Sequence, residues 1–344
     1  MATVSLVLIT SIATVFSLVG FLANGLVLYL IFTTKSLRTP MNYLLLNLAI
    51  MDAITCCLTV PHIATGAAVY PGNLTLMQNI ARGSEPSVVT AICKIRVFAW
   101  LGSTVQPYLL IAVAFERFMA VVYPLTSCVR VTKSRLRWII PLCWIGGLLY
   151  VLPQMIALEY DDVLETCRPM LVNYSVYAYS TALLVLIFII PALVITGLYL
   201  KVIRVLSASG QGMGIAAEQA RMRQRAKRKV VNLVIAVTAL FNVCWGFNNV
   251  LFYVMSSIND PDLKRDIPLI RQLCMSFSAA INPIFYLTFL NNFRNTLRLK
   301  FKRVTFKNLS RQSTTETRQE KVVMEEHGKP RLLGFQRRSF SSVK

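Results

Sequence analysis

The sequence predicts an all-α membrane protein, a seven-transmembrane helix bundle followed by a short amphipathic eighth helix. Three observations carry this. Hydrophobic residues make up 55% of the 344-residue chain and charged residues 15%, which is too apolar for a soluble protein of this length. Seven runs meet the requirement of about 20 apolar residues for crossing a hydrocarbon core. The basic residues behind the net charge of +21 collect between alternate runs, as they do where cytoplasmic loops hold the Lys and Arg. That placement argues against a nucleic-acid partner, since phosphate contacts need a basic surface beside a soluble fold.

The first run covers about 5–33, is longer than the apolar core of a signal peptide, has no basic start and reads as a signal anchor. The second, about 41–69, carries Asp52 at mid-span; a long first outer loop over about 70–91 follows. The third, about 92–123, opens at Cys93, contains Pro107 and ends at Glu116-Arg117-Phe118, with Pro124 just beyond. The fourth, about 137–157, holds Trp144, and the loop after it is acidic through Glu159, Asp161, Asp162 and Glu165. The fifth covers about 175–203 with Pro191 and Tyr199; the basic run from Arg221 to Lys229 precedes the sixth, about 230–257. The seventh, about 267–290, contains Asn282-Pro283-Ile284-Phe285-Tyr286.

Over 291–303 the pattern becomes that of a surface helix, with Phe293, Leu297 and Phe301 toward lipid and Arg298 and Lys302 toward headgroups. Residues 1–303 form the membrane domain, and 304–344 a basic tail whose composition predicts disorder. Lys35, Arg38, Arg130, Lys133, Arg135 and Arg137 lie on the side of this tail, so the N-terminus is expected outside and the C-terminus inside. Sequons at Asn73 and Asn173 fall on the predicted outer side and are expected to be glycosylated. Ser310, Ser313, Thr314, Thr315 and Thr317 are candidate phosphorylation sites.

Ionisable and strongly polar groups at membrane depth are costly and mark function. Here they form an ordered set: Asn24, Asp52, Glu116-Arg117, Trp144, Pro191 with Tyr199, Cys244-Trp245 and Asn282-Pro283-x-x-Tyr286. With one element per span, about residues 15–303 resemble the rhodopsin-like G-protein-coupled receptors, and neuropeptide-type receptors most. The resemblance implies a plasma-membrane receptor that binds an extracellular ligand, a peptide in class, and activates a heterotrimeric G protein. Arrestin and receptor kinases would act through the Ser/Thr tail. No catalytic residue and no cofactor are implied, beyond an allosteric sodium ion at Asp52, Ser278, Asn282 and Asn24. Glu116, Arg117, Tyr199, Phe241, Trp245, Asn282, Pro283 and Tyr286 would form the activation switch. Cys93 and Cys167 would form the family's disulfide; Cys56, Cys57, Cys128, Cys143, Cys244 and Cys274 are expected free. The ligand pocket would draw on His62, Ala99, Ser103, Asn248, Asn249, Phe252 and Arg271.

The chain also departs from the family pattern. Phe247 stands where the sixth helix usually has its proline, and Pro107 sits in a helix that normally has none. Cys93 and Arg117 are separated by one position fewer than usual. The lack of an aspartate in the outer half of helix three argues against an amine ligand, and Ser276 replaces the lysine that a retinal pigment needs. The four acidic residues of the second outer loop suggest a basic peptide. A non-signalling receptor of the same fold is the alternative. A transporter would need several intramembrane charges and repeats, and an enzyme would need paired catalytic groups; neither is present in the sequence.

Overall fold

The computed structural model describes residues 2–66, 76–123, 131–163, 165–170, 175–208, 215–300 and 302. Met1–Arg294 form one compact unit and Asn295–Lys344 a second. The proposed glycosylation sites Asn73 and Asn173, as well as Pro124, Cys128 and the tail 304–344, lie outside the described residues.

The first unit is a helical bundle. In chain order come α1 (Ala2–Thr33), α2 (Pro40–Gly66), α3 (Leu76–Gly83), α4 (Pro86–Arg96), a 3₁₀ segment (Val97–Trp100) and α5 (Leu101–Val122). Then follow α6 (Lys133–Ala157), β1 (Leu158–Asp161), β2 (Thr166–Pro169) and α7 (Val176–Leu183), a π-helical turn (Leu184–Ile189), α8 (Ile190–Ala208), α9 (Ile215–Ser257) and α10 (Pro261–Phe289). A final helix, α11, covers Asn291–Lys300. Among the described residues five helical stretches are long and apolar enough to cross a membrane, and 266–289 makes a sixth when taken with α11. In α9 no Asp, Glu, Lys or Arg occurs from Val230 to Ser257, long enough to span a hydrocarbon core.

Several boundaries differ from those read in the sequence. The third span does not begin at 92: Pro86 occupies the first turn of α4, where its missing N–H is no loss. Most of the described part of the first outer loop is therefore helical, in α3 and α4. The sixth helix starts at Ile215, so its basic run is helical rather than a loop. The second outer loop pairs β1 with β2, Leu158 opposite Pro169 and Asp161 opposite Thr166. Thr132 and Ser175 cap α6 and α7 by accepting from the Arg135 and Ala178 N–H groups. Phe293, expected to face lipid, is buried at the start of α11.

The third span accommodates its missing residue through its 3₁₀ segment. A 3₁₀ helix rises about 2.0 Å per residue against 1.5 Å in an α-helix, so the four residues Val97–Trp100 recover about 2 Å, more than one α-helical rise. The chain remains helical through Pro107. Gly147 of α6 packs directly on this stretch: a β-carbon there would lie 2.8 Å from the Val105 backbone. In the fifth span the π-helical turn ends two residues before Pro191, whose missing N–H already interrupts the α-helical ladder.

Polar contacts zip α10 onto the first two helices. Ser17 Oγ donates to Ser276 Oγ at 3.0 Å, Gln272 Nε2 to Thr59 Oγ1 at 2.7 Å, and Asn24 Nδ2 to the Ala279 carbonyl at 2.9 Å. Trp144 Nε1 reaches Asn47 Oδ1 at 3.1 Å and ties α6 to α2. Where lipid offers no hydrogen bonds and no hydrophobic drive between helices, such contacts and close packing hold a bundle together.

Candidate functional site

Three layers of side chains lie along the bundle. The first is a cavity of about 260 Å³ at the end that carries the β-hairpin. Cys93 and Cys167 are disulfide-bonded, which fixes β2 to α4 beside this cavity. Cys56, Cys57, Cys143, Cys244 and Cys274 are free. His62, Ser103, Asn248, Asn249, Phe252 and Arg271 line the cavity. Ala99 is fully buried and is not among the lining residues; its place in the 3₁₀ segment turns it away, and Trp100 takes its role. Arg96, Gln154, Tyr179 and Pro268 also line the cavity, and the sequence reading missed them. Arg96 escaped because the segment around it was read as plain helix; nothing in the sequence marks the 3₁₀ change of phase.

Arg271, 7% exposed, dominates this layer. Its guanidinium lies 4.3 Å from the ring centroids of both Trp100 and Phe252. Its Nε donates to Asn248 Oδ1 at 3.0 Å. Trp100 in turn meets His62 edge to face at 5.6 Å, and Arg96 donates to the His62 carbonyl at 3.4 Å.

The acidic loop does not offer the free negative patch expected of it. Asp161 is ion-paired with Arg168 on the opposing strand. Glu165 accepts from Gln78 at 2.9 Å and lies 4.0 Å from Arg82. Two of the four carboxylates are therefore engaged locally, which weakens the inference of a basic peptide.

The second layer is centred on Asp52, which is 1% exposed. Gln106 Nε2 donates to its Oδ1 at 2.5 Å and Asn282 Nδ2 to its Oδ2 at 2.9 Å. Gln106, on the third span, was not singled out in the sequence; a Gln at one helical position gives no signal by itself. Asn24 does not reach Asp52: its amide donates to the Gly20 and Ala279 carbonyls. Ser278 is buried, but Asp52 accepts only from the two amides among the described residues. Both carboxylate oxygens thus face N–H groups, which repel a cation. Gln106 Oε1 and Asn282 Oδ1, buried without partners, would meet an ion only if both amides turned over and gave up their bonds. As arranged, the Gln106 and Asn282 amides turn N–H groups toward Asp52, while Asn24 Oδ1 and Ser278 Oγ are buried oxygens without a hydrogen-bond partner.

The third layer lies at the opposite end of the bundle. Glu116 and Arg117 form a salt bridge, with side chains 12% and 18% exposed. Tyr199 Oη lies 3.5 Å from Thr238 Oγ1 on α9, and the Tyr286 hydroxyl is buried without a hydrogen-bond partner. Val121, Val202, Leu206 and Val231 form an apolar cluster with Phe118 and Ile235, closing α9 against the third and fifth spans. Arg228 adds a hydrogen bond to the Leu206 carbonyl at 2.5 Å. Trp245 is buried between the layers, and Gly246 next to it gives room to the Phe188 ring, which a β-carbon would approach to 2.4 Å. Phe247 points outward at 49% exposure. Pro283 is buried on α10; the side chain of Phe241 is outside the described set.

Comparison with known sequences agrees with this layering. Residues 23–286 match the family described as 7 transmembrane receptor (rhodopsin family). Neuropeptide receptor 22 of Caenorhabditis elegans is 26% identical over 293 residues, covering 79% of this chain and 63% of that protein. The RYamide receptor of Drosophila melanogaster is 28% identical, covering 79% and 58% respectively. The Substance-P receptor of Homo sapiens is 29% identical, covering 82% and 67%. The chain spans 63%, 58% and 56% of the first three relatives it matches.

Proposed function

This chain belongs to the rhodopsin family of seven-transmembrane receptors, and on that premise we propose that it binds an extracellular peptide and activates a heterotrimeric G protein. It is a multi-pass membrane protein, and the cavity end would face outward, since the basic residues Lys133, Arg135, Arg137 and Arg228 belong to the opposite end. The observation that carries the reading is the placement of both functions on one helix line. The third span contributes Trp100 and Ser103 to the cavity and Glu116-Arg117 to the far end, with Gln106 bonded to Asp52 between them.

The described arrangement fits a resting receptor. Arg117 is held by Glu116, and α9 is packed over it by the Val121–Val231 cluster. Activation requires α9 to leave that cluster, after which Arg117 is free to exchange Glu116 for the hydroxyls of Tyr199 and Tyr286. A peptide shifts this balance only by binding one arrangement better than the other. Contacts to Asn248 and Phe252, which belong to α9 itself, supply that difference.

Peptide ligands are favoured because the relatives' names state peptide receptors and because the disulfide-anchored β-hairpin borders the cavity. Receptor kinases and arrestin are further partners, acting on the Ser/Thr-rich tail. The test is a neuropeptide library applied to cells that express the chain with a promiscuous G protein, Arg117→Ala serving as control. At least one peptide should evoke a second-messenger response in the wild type and none in the variant. A response that persists in Arg117→Ala would remove the proposed switch.

A further inference from the structure

Among the described residues Arg271 has no acidic partner. Among the described residues lining the cavity there is no Asp or Glu, while two guanidinium groups, Arg271 and Arg96, contribute to its wall. An arginine stays charged in any protein environment, and a buried charge without an opposite charge is costly. Its surroundings offset only part of that. The guanidinium carbon lies 4.3 Å from the centroids of both the Trp100 and Phe252 rings, and a cation over a ring face is attracted by the ring quadrupole. Asn248 accepts from Nε. The in-plane N–H groups of the two terminal nitrogens are bonded to nothing among the described residues, and the side chain borders the open volume.

We propose that this edge of Arg271 is the recognition element for a carboxylate on the ligand. Two parallel N–H donors match the two oxygens of a carboxylate, and the bond from Nε to Asn248 Oδ1 restrains the guanidinium group. Arg96 adds positive potential on the same side, near His62 and Cys167. Val97, Val151, Leu183 and Met255 add an apolar portion to the wall, which suits the body of a ligand whose one anionic group sits at Arg271. The carboxylate has three sources: a free peptide C-terminus, an Asp or Glu side chain, or a small organic acid.

This inference rests on the cavity being the ligand site, and its test reads binding alone, without G-protein coupling. The purified full chain in lipid nanodiscs is heated with N-acetyl dipeptides bearing a free C-terminal carboxylate and with the same dipeptides as carboxamides. Two further arms use C-terminally amidated dipeptides containing Glu, and glutarate. At millimolar concentration at least one carboxylate probe should raise the unfolding midpoint while its neutral counterpart does not, and the responding arm names the source. In Arg271→Gln the apparent affinity should fall about 100-fold, the order expected when one partner of a desolvated charge pair is removed; Arg271→Lys should retain part of it. The wild-type comparison needs no variant, so misfolding of Arg271→Gln leaves the test intact. Equal stabilisation by carboxylate and carboxamide, no stabilisation by any carboxylate arm, or undiminished affinity in a folded Arg271→Gln would each overturn the proposal. Absence of G-protein activation would leave a positive binding result standing, and the reverse holds as well.

Discussion

Replacing Gln106 by Ala removes one of the two amides that hold Asp52. The bond is charge-assisted and buried, and such hydrogen bonds contribute about 1.5–3 kcal/mol. The carboxylate left behind is 1% exposed and keeps Asn282 as its donor among the described residues. A net loss of about 2 kcal/mol follows, which for a chain of this size lowers the unfolding midpoint by roughly 3 °C. The vacated volume beside Asp52 then lacks an N–H donor, and a small cation can take its place. Unfolding is followed by tryptophan fluorescence in nanodiscs, in sodium chloride and in choline chloride at equal ionic strength. The wild type should unfold at the same temperature in both salts. Gln106→Ala should unfold earlier in choline and recover part of the difference in sodium. A wild type stabilised by sodium over choline would show that an ion sits at Asp52 despite the Gln106 hydrogen bond, and would contradict the arrangement described for this layer.

Other substitutions test the packing and the loops. Gly147→Leu places a side chain where even a β-carbon meets the Val105 backbone at 2.8 Å, so α6 must move away from the third span. Overpacking of this kind costs about 1–3 kcal/mol, read as a lower unfolding midpoint, whereas an unchanged midpoint would contradict the packing described. Cys167→Ser opens a disulfide that closes a sequence separation of 74 residues. By chain entropy this is worth about 4 kcal/mol, so the variant should unfold earlier and reach the cell surface in smaller amount, as measured by surface labelling. Asp161→Asn breaks the ion pair with Arg168 across the hairpin. Hydrogen exchange in β1 and β2 should then quicken, while the Arg117 end stays as protected as before.

How much of this was readable from the sequence depended on how each feature encodes itself. The seven apolar runs, Asp52 and the Asn282–Tyr286 motif stand out because charge and proline are rare in spans, and the Cys93–Cys167 pairing followed from the resemblance. The start of α9 at Ile215 was hidden because a basic helix leaving the membrane reads by composition as a loop. The helices α3 and α4 were hidden in the same way, by polar residues such as Gln78, Asn79 and Lys94 between apolar ones. Gln106 was invisible because its importance lies in Asp52, which is 54 positions away in the chain and on another helix. The departures at Pro107 and Phe247 were legible as anomalies, but their consequences were not. The one-residue shortening of the third span is taken up ten positions before Pro107, in the 3₁₀ segment. The acidic loop misled because the sequence shows its charges and not the Arg168 and Arg82 side chains placed against them.

Nucleotide exchange on a purified G protein measures the proposed link between the cavity and Arg117 directly. With the chain in nanodiscs and a peptide that activates it, wild type should accelerate exchange. Asn248→Ala, in the cavity wall, should demand more peptide for the same maximal rate, while Arg117→Ala should bind the peptide normally and accelerate nothing. If exchange proceeded undiminished with Arg117→Ala, or if Asn248→Ala left the peptide requirement unchanged, the two ends of the bundle would not be coupled as described.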